Sequence, residues 1–113
     1  MNRTQHIVAG LVVFAIYTYL VYQIRSIGVE VLFLGGVAAI LGSMLPDIIE
    51  PASDWTHRGF AHSKRILRRL SLIVLLTSIA VLVFPHLLIL VGALLAYVVH
   101  LLCDWTTKVG LPT

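Results

Sequence analysis

The chain has 113 residues, of which 59% are hydrophobic and 12% are charged, and its formal net charge is +3. A soluble domain carries about twice that charged fraction, so the composition excludes an ordinary soluble domain and favours a membrane protein. The one cysteine, Cys103, excludes an internal disulfide framework. The length is that of a single domain, residues 1–113.

Four apolar segments follow one another along the chain, at residues 7–24, 27–45, 66–84 and 86–104. Each is close to the ~20 residues that a helix needs to cross a bilayer. The links inside the first and the last pair are short, whereas residues 46–65 form a long polar link. The sequence therefore predicts an all-α integral membrane protein with four transmembrane helices, arranged as two hairpins. A loop of about 20 residues between them is expected to have a function.

Basic residues are distributed unequally between the two sides of this predicted topology. One side receives Arg3, Arg58, Lys64, Arg65, Arg68, Arg69 and Lys108. The other side receives only Arg25, together with Glu30. Because cytoplasmic loops are enriched in Lys and Arg, we expect a multi-pass protein of the cell (inner) membrane with both termini in the cytoplasm.

Small residues recur at every fourth position and lead to ionisable residues at the cytoplasmic helix ends. The stripes are Gly35, Ala39, Ser43 and Asp47 in the second helix, Gly92, Ala96, His100 and Asp104 in the fourth, and His6 and Gly10 in the first. Residues four apart share a helix face, and small residues let membrane helices approach closely. The faces that pack together are therefore expected to bring these ionisable groups to one site.

The chemistry of these groups suits a metal. His100 and Asp104 lie one turn apart, a spacing typical of two ligands of one metal or of a ligand and its hydrogen-bonding partner, and zinc accepts both donor types. His57 and His62 flank a glycine in the polar loop, and Glu50 follows Asp47 at the end of the second helix. Ionisable groups at membrane depth are costly unless they are paired or functional. A bound divalent cation would ionise water for hydrolysis.

These residues also form motifs that resemble a known family. "GSMLPDIIEP", "HRGFAHS", an early H-x3-G and H-x3-D-x2-T-x2-G at residues 100–110 are similar to motifs of the membrane-bound, metal-dependent hydrolases of bacteria and archaea. That family is in turn similar in its motifs to the zinc-dependent phospholipase C and single-strand nuclease group. The resemblance covers nearly the whole chain and implies a metal cluster that acts on phosphoesters.

The resemblance implies a set of site residues. The matching ligand positions are His6, Asp47, His57, His62, His100 and Asp104, and the polar companions are Arg58 and Ser63. Many members read Pro-Asp-x-Asp, whereas this chain has Ile49 and then Glu50. Either Glu50 takes the role of the second carboxylate or one ligand is lost.

The hypothesis drawn from the sequence is a membrane-bound metal-dependent hydrolase, phosphoesterase-like, that uses one to three divalent ions, Zn²⁺ or alternatively Mn²⁺. Asp47 or Glu50 is expected to act as ligand or general base, and the planar guanidinium of Arg58 to hold an anionic substrate. The expected partners are the lipid bilayer and an anionic lipid or phosphoester. Nucleic acid ranks lower, because no aromatic residues are interleaved with the basic cluster, and a homo-oligomer is an open alternative.

Two other functions fit the same residues. A metal or proton transporter also places His and Asp within the membrane, but it needs polar groups through the whole bilayer, and here they cluster at one end. A non-catalytic protein could use a metal only to tie its helices together. A closed four-ligand site favours the second alternative, and an open coordination position favours an enzyme.

Overall fold

Four α-helices form the part of the chain that the computed structural model describes, residues 3–49 and 63–105. They are α1 (Arg3–Ile24), α2 (Val29–Ile49), α3 (Lys64–Ala80) and α4 (Leu87–Trp105), and these two ranges contain no strand. The predicted all-α fold is therefore confirmed.

Three of the helices are long and apolar enough to cross a membrane. These are α1, α2 and α4, with 22, 21 and 19 residues, or about 33, 31 and 28 Å at 1.5 Å per residue. The hydrocarbon core of a bilayer is about 30 Å thick. In contrast, α3 has 17 residues and carries Lys64, Arg65, Arg68 and Arg69 in its first two turns. Of the four predicted transmembrane helices, three are thus long and apolar enough to span a membrane, and a fourth span is not confirmed.

The helix boundaries differ from the predicted ones mainly around the polar loop. The second helix was expected to end before Pro46, but α2 continues through this proline to Ile49. Membrane helices tolerate an internal proline where neighbouring groups satisfy the freed backbone. The predicted loop of residues 46–65 is therefore too long at both ends, since α3 already begins at Lys64.

The start and end of α3 have local causes. The Ser63 side chain caps the helix, because its Oγ accepts a hydrogen bond from the Ile66 amide at 3.2 Å. After Ala80 the chain makes turns up to His86, and Pro85 disfavours helical geometry at the residue before it. The predicted segment 66–84 consequently starts earlier and ends earlier than expected.

The fourth helix is the centre of the bundle. It packs against α1, α2 and α3, whereas α3 packs chiefly against α4 alone. The main core lies between α1, α2 and α4 and includes Phe14, Ala39 and Leu88. A smaller cluster of Leu67, Tyr97, Val98 and Leu101 joins α3 to α4. The most extensive packing is between α2 and α4, which belong to different predicted hairpins.

Glycines set the distance between α2 and α4. A Cβ placed on Gly92 would lie 2.6 Å from the Gly35 carbonyl oxygen, and one placed on Gly42 would collide with the Ala93 carbonyl group. The predicted small-residue stripes are buried as expected, with Ala39 and Ala96 fully inaccessible. Large apolar side chains such as Phe33 and Leu76 instead point outward, where lipid would surround them.

We expect Gly42→Ala to destabilise the protein by about 1–3 kcal/mol, because the new methyl group must push the backbone of α4 away. Gly36→Ala is the matched control on the same helix, since a Cβ there meets nothing within 4 Å. Alanine favours a helix over glycine, so the control should be neutral or slightly stabilising. Reversible unfolding in mixed detergent micelles, followed by circular dichroism, measures both. Equal stabilities for the two variants would contradict this account of the α2–α4 contact.

Candidate metal centre

Four ionisable side chains meet at one end of the bundle. The first turns of α1 supply His6, the last turn of α2 supplies Asp47, and the last turns of α4 supply His100 and Asp104. His6, His100 and Asp104 are 2%, 0% and 4% exposed, whereas the Asp47 side chain is 32% exposed. The four groups converge because α1 begins where α2 and α4 end, and because the small-residue faces bring the three helices together.

The distances between these groups are short. His6 Nε2 lies 3.2 Å from Asp104 Oδ1, and His100 Nε2 lies 3.2 Å from Asp104 Oδ2. His100 Nε2 also lies 3.5 Å from Asp47 Oδ1. Each oxygen of the Asp104 carboxylate thus faces a different histidine, and His100 stands between the two acids.

A backbone carbonyl fixes the orientation of His100. Its Nδ1 lies 2.6 Å from the Ser43 carbonyl oxygen. A carbonyl oxygen only accepts hydrogen bonds, so Nδ1 carries the proton and donates it. This contact assigns the tautomer and leaves Nε2, on the side of the two acids, as the nitrogen for binding a metal. Pro46 lies three residues beyond Ser43 and lacks an amide hydrogen, so the backbone ladder is interrupted close to this carbonyl.

The two imidazole rings are stacked. Their centroids are 3.7 Å apart and their planes differ by 14°. The lone pair of an imidazole nitrogen lies in the plane of its ring. In two nearly parallel rings the lone pairs therefore lie in separate planes, and they do not point to a single atom.

A buried nitrogen of the site makes no hydrogen bond within the described ranges. It is Nδ1 of His6, in a side chain that is almost completely enclosed. A buried nitrogen of this kind is costly when it makes no hydrogen bond. The site therefore retains capacity to bind a ligand at His6.

The charges around the cluster favour a cation. Asp47 and Asp104 both lie in the last turn of a helix, and neither last turn contains a basic residue. The C-terminal end of a helix carries a partial negative charge that favours cations. Two carboxylates and two helix ends together make a negative environment with little water.

A comparison with protein-family models assigns the chain to a family. The family model of the YdjM inner membrane protein matches residues 1–113. The chain belongs to the YdjM inner membrane protein family. The three apolar helices agree with this membrane assignment. No curated protein matches the chain, and no solved structure matches it.

The match corrects the family suggested by the motifs. The resemblance to the membrane-bound metal-dependent hydrolases, and through them to the phospholipase C and nuclease group, is wrong, because the matching family is YdjM. The motifs are short sets of His, Asp, Gly and Ser. Helix ends near a membrane surface use these residues for capping and packing as well as for catalysis, so the motifs alone did not identify the family.

The structure brings together half of the predicted site residues. His6, Asp47 and His100 each offer a ligand atom within 4.8 Å of the others, and Asp104 contacts both histidines. Glu50, His57, Arg58 and His62 lie outside the described residues, so their predicted roles stay predictions. Ser63, a predicted companion of the motif, caps α3.

Sequence reasoning missed the role of the Ser43 backbone. Ser43 was interpreted from the sequence as a small residue of the α2 packing stripe. Its hydroxyl donates to the Ile40 carbonyl of its own helix at 2.7 Å, while its carbonyl accepts from His100. The available signal was Pro46, because a proline inside a helix frees carbonyl groups within the preceding turn.

Proposed function

We propose that this protein is a metal-dependent hydrolase of the membrane, with its metal centre at His6, Asp47, His100 and Asp104. The observation that carries the proposal is the convergence of two histidines and two aspartates from three helices at one end of the bundle. The function is proposed from the geometry of these side chains and does not depend on the motif resemblance.

The donor set fits zinc. Two ligand atoms that each lie 2.0–2.1 Å from a tetrahedral zinc ion are about 3.3 Å apart. The three nitrogen–oxygen distances of the cluster, 3.2, 3.2 and 3.5 Å, agree with that separation. The two carboxylates would offset part of the positive charge of the bound cations. Mn²⁺ is the alternative ion, since it accepts the same donors.

The stacked rings favour two cations, one at each histidine. The lone pairs of the two rings lie in separate, nearly parallel planes. The two oxygens of Asp104 each face a different ring. Asp104 therefore has the arrangement of a bridging carboxylate. Two cations held in this way would together activate the attacking water and stabilise the leaving oxygen.

The residues of the site would have different roles in hydrolysis. The Ser43 carbonyl holds the His100 ring in one tautomer, and Asp104 fixes both histidines. Asp47 is the most exposed of the four, so it is the residue to accept a proton from water. A cation bound at this site would hold a water that ionises near neutral pH. The same cation would neutralise charge on an anionic substrate. Glu50 as an additional base or ligand and Arg58 as an anion clamp remain predictions.

The substrate class follows from the position of the centre. It lies at one end of the membrane helices, so a phosphoester carried by a lipid could reach it from the membrane surface. A homo-oligomer remains a prediction from the small core that four short helices can form.

A transporter is the less favoured alternative. Away from the cluster, three hydroxyl groups of α3 are bonded to the backbone of their own helix: Ser71 to Leu67, Thr77 to Ile73 and Ser78 to Leu75. Tyr17 donates to the Ser78 carbonyl. Such hydroxyls form no continuous polar route through the described helices. A metal that only ties α1, α2 and α4 together is the other alternative, and the activity experiment below distinguishes it.

For the topology, we propose that the metal centre and both termini face the cytoplasm and that α3 completes a fourth crossing with the turns that follow it. The excess of basic residues at this end supports the orientation. The Arg25 guanidinium at the other end donates to the Leu82 carbonyl at 3.0 Å. The turns after α3 therefore lie beside the end of α1, at the opposite end from the metal centre.

We expect purified protein to contain two zinc ions per chain at this centre, measured by elemental mass spectrometry after equilibration with zinc. His6→Ala should lose one ion relative to the unmodified chain, and Asp104→Asn should lose two, because Asp104 faces both histidines. Glu30→Gln is the control, since Glu30 is an exposed acid in the first turn of α2. A metal content that neither site substitution changes would refute the centre.

Hydrolysis of a chromogenic phosphodiester or phosphomonoester by zinc-loaded protein should fall to background in His100→Ala. Asp47→Asn should lower kcat and also lower the metal content, because this exposed acid is proposed both as a ligand and as the group that accepts the proton. Glu30→Gln again serves as control. Turnover that survives His100→Ala unchanged would exclude the proposed mechanism. Full zinc occupancy without turnover of any phosphoester would favour a metal whose role is only to hold α1, α2 and α4 together.

The topology can be measured with single cysteines in a Cys103→Ala background. A membrane-impermeant maleimide should label His86→Cys in intact cells and label Arg65→Cys only after permeabilisation. His86 and Arg65 are both exposed and lie at opposite ends of the α3 segment. Labelling of both positions from the same side would show that α3 does not cross.

A further inference from the structure

A groove runs between α3 and α4 on the outside of the bundle, away from the metal centre. Its volume is about 540 Å³. The walls are Leu67, Leu72 and Leu75 of α3 and Leu102 of α4, and at one end stand Arg68 and Trp105. From Leu67 to Leu75 the groove follows two turns of α3, about 12 Å.

The end of the groove near the start of α3 is cationic. A second cavity of about 300 Å³ adjoins it and is lined by Lys64, Leu67, Arg68 and Trp105. The Lys64 ammonium lies 5.3 Å from the centroid of the Trp105 ring, a cation–π distance. Among the described residues, no acid lines either cavity.

The long wall of the groove offers almost no polar partner. Ser71 is its one hydroxyl residue, and this hydroxyl donates to the Leu67 carbonyl at 2.7 Å. Leu72, Leu75 and Leu102 are exposed. An occupant must therefore be apolar along most of its length and anionic at one end.

We propose that this groove binds an anionic glycerophospholipid of the membrane, with an acyl chain along the leucines and the phosphate between Lys64 and Arg68. Charge complementarity supports this occupant, because the two cations stand only at the end where the apolar wall stops. Trp105 supports it as well, since tryptophan at a membrane–water interface lies at headgroup level. The proposal needs neither a bound metal nor hydrolysis.

The neighbouring arginines separate a specific site from general attraction to an anionic surface. Arg65 and Arg69 are exposed on the same turns of α3 but do not line either cavity. A variant with both neutralised has the same net charge as one with Lys64 and Arg68 neutralised. Basic residues near an anionic membrane each contribute a similar attraction, so only a site distinguishes the two pairs.

The test uses quenching of Trp105 fluorescence by brominated lipids. Trp55→Phe leaves Trp105 as the single tryptophan, and this chain is reconstituted with brominated phosphatidylglycerol or brominated phosphatidylcholine in competition with unbrominated phosphatidylcholine. We expect the anionic lipid to be preferred at Trp105, by about fivefold for each basic side chain that contacts the phosphate. Lys64→Gln/Arg68→Gln should abolish the preference, and Arg65→Gln/Arg69→Gln should retain most of it.

Equal quenching by the two lipids would overturn the proposal, and so would an equal loss of preference in both double variants, which would indicate surface attraction only. Circular dichroism and the zinc content of each variant verify that the bundle is intact. His6→Ala should keep the lipid preference while losing metal. The lipid site and the metal centre can therefore fail independently.

Discussion

The close contact between α2 and α4 is the constraint on which the rest of the molecule depends. Helices in lipid gain nothing from burying apolar side chains against each other, so they associate through close packing and hydrogen bonds. Here Gly35 meets Gly92, and Gly42 meets the backbone of Ala93. This separation lets a side chain of α4 reach the backbone of α2, as His100 does at the Ser43 carbonyl. A wider spacing would separate the histidine from the group that orients it.

Two kinds of polar contact occur within the described helices. Hydroxyl groups on α3 bond to carbonyls one turn earlier in the same helix, which makes them compatible with lipid. The charged cluster instead makes its ion-pair contacts between helices, from α1, α2 and α4. The first arrangement requires nothing of the tertiary fold, whereas the second exists only when the three helices are docked.

Much of the fold could be predicted because the bilayer enforces helices and small residues mark their packed faces. From the sequence alone, the small-residue stripes through Ala39 and Ala96 predicted that four side chains meet at one end of the bundle. These are His6, Asp47, His100 and Asp104. The continuation of α2 through Pro46 could not be predicted, since a proline usually ends a helix and only packing in three dimensions reverses that rule.

The motif resemblance led to the wrong family for a related reason. Short strings of ligand-type residues at helix ends occur in unrelated families and do not distinguish between them. The dominance of α2–α4 packing over the hairpin pairs also escaped prediction, because connection length says nothing about close approach.

The central helix separates two clusters of opposite charge. Asp104 and Trp105 are adjacent in sequence, but successive helical residues are rotated by about 100°, so the acid faces α1 and the tryptophan faces α3. The carboxylates therefore lie inside the bundle, while Lys64 and Arg68 lie outside it at the same end. A lipid phosphate held at Lys64 and Arg68 would be about one helix diameter, 10 Å, from the histidines. That distance is too long for reaction in place, so the groove would hold a resident or waiting lipid. A phosphoester that reached the proposed metal centre would have to pass the exposed side of the cluster, where Asp47 meets solvent.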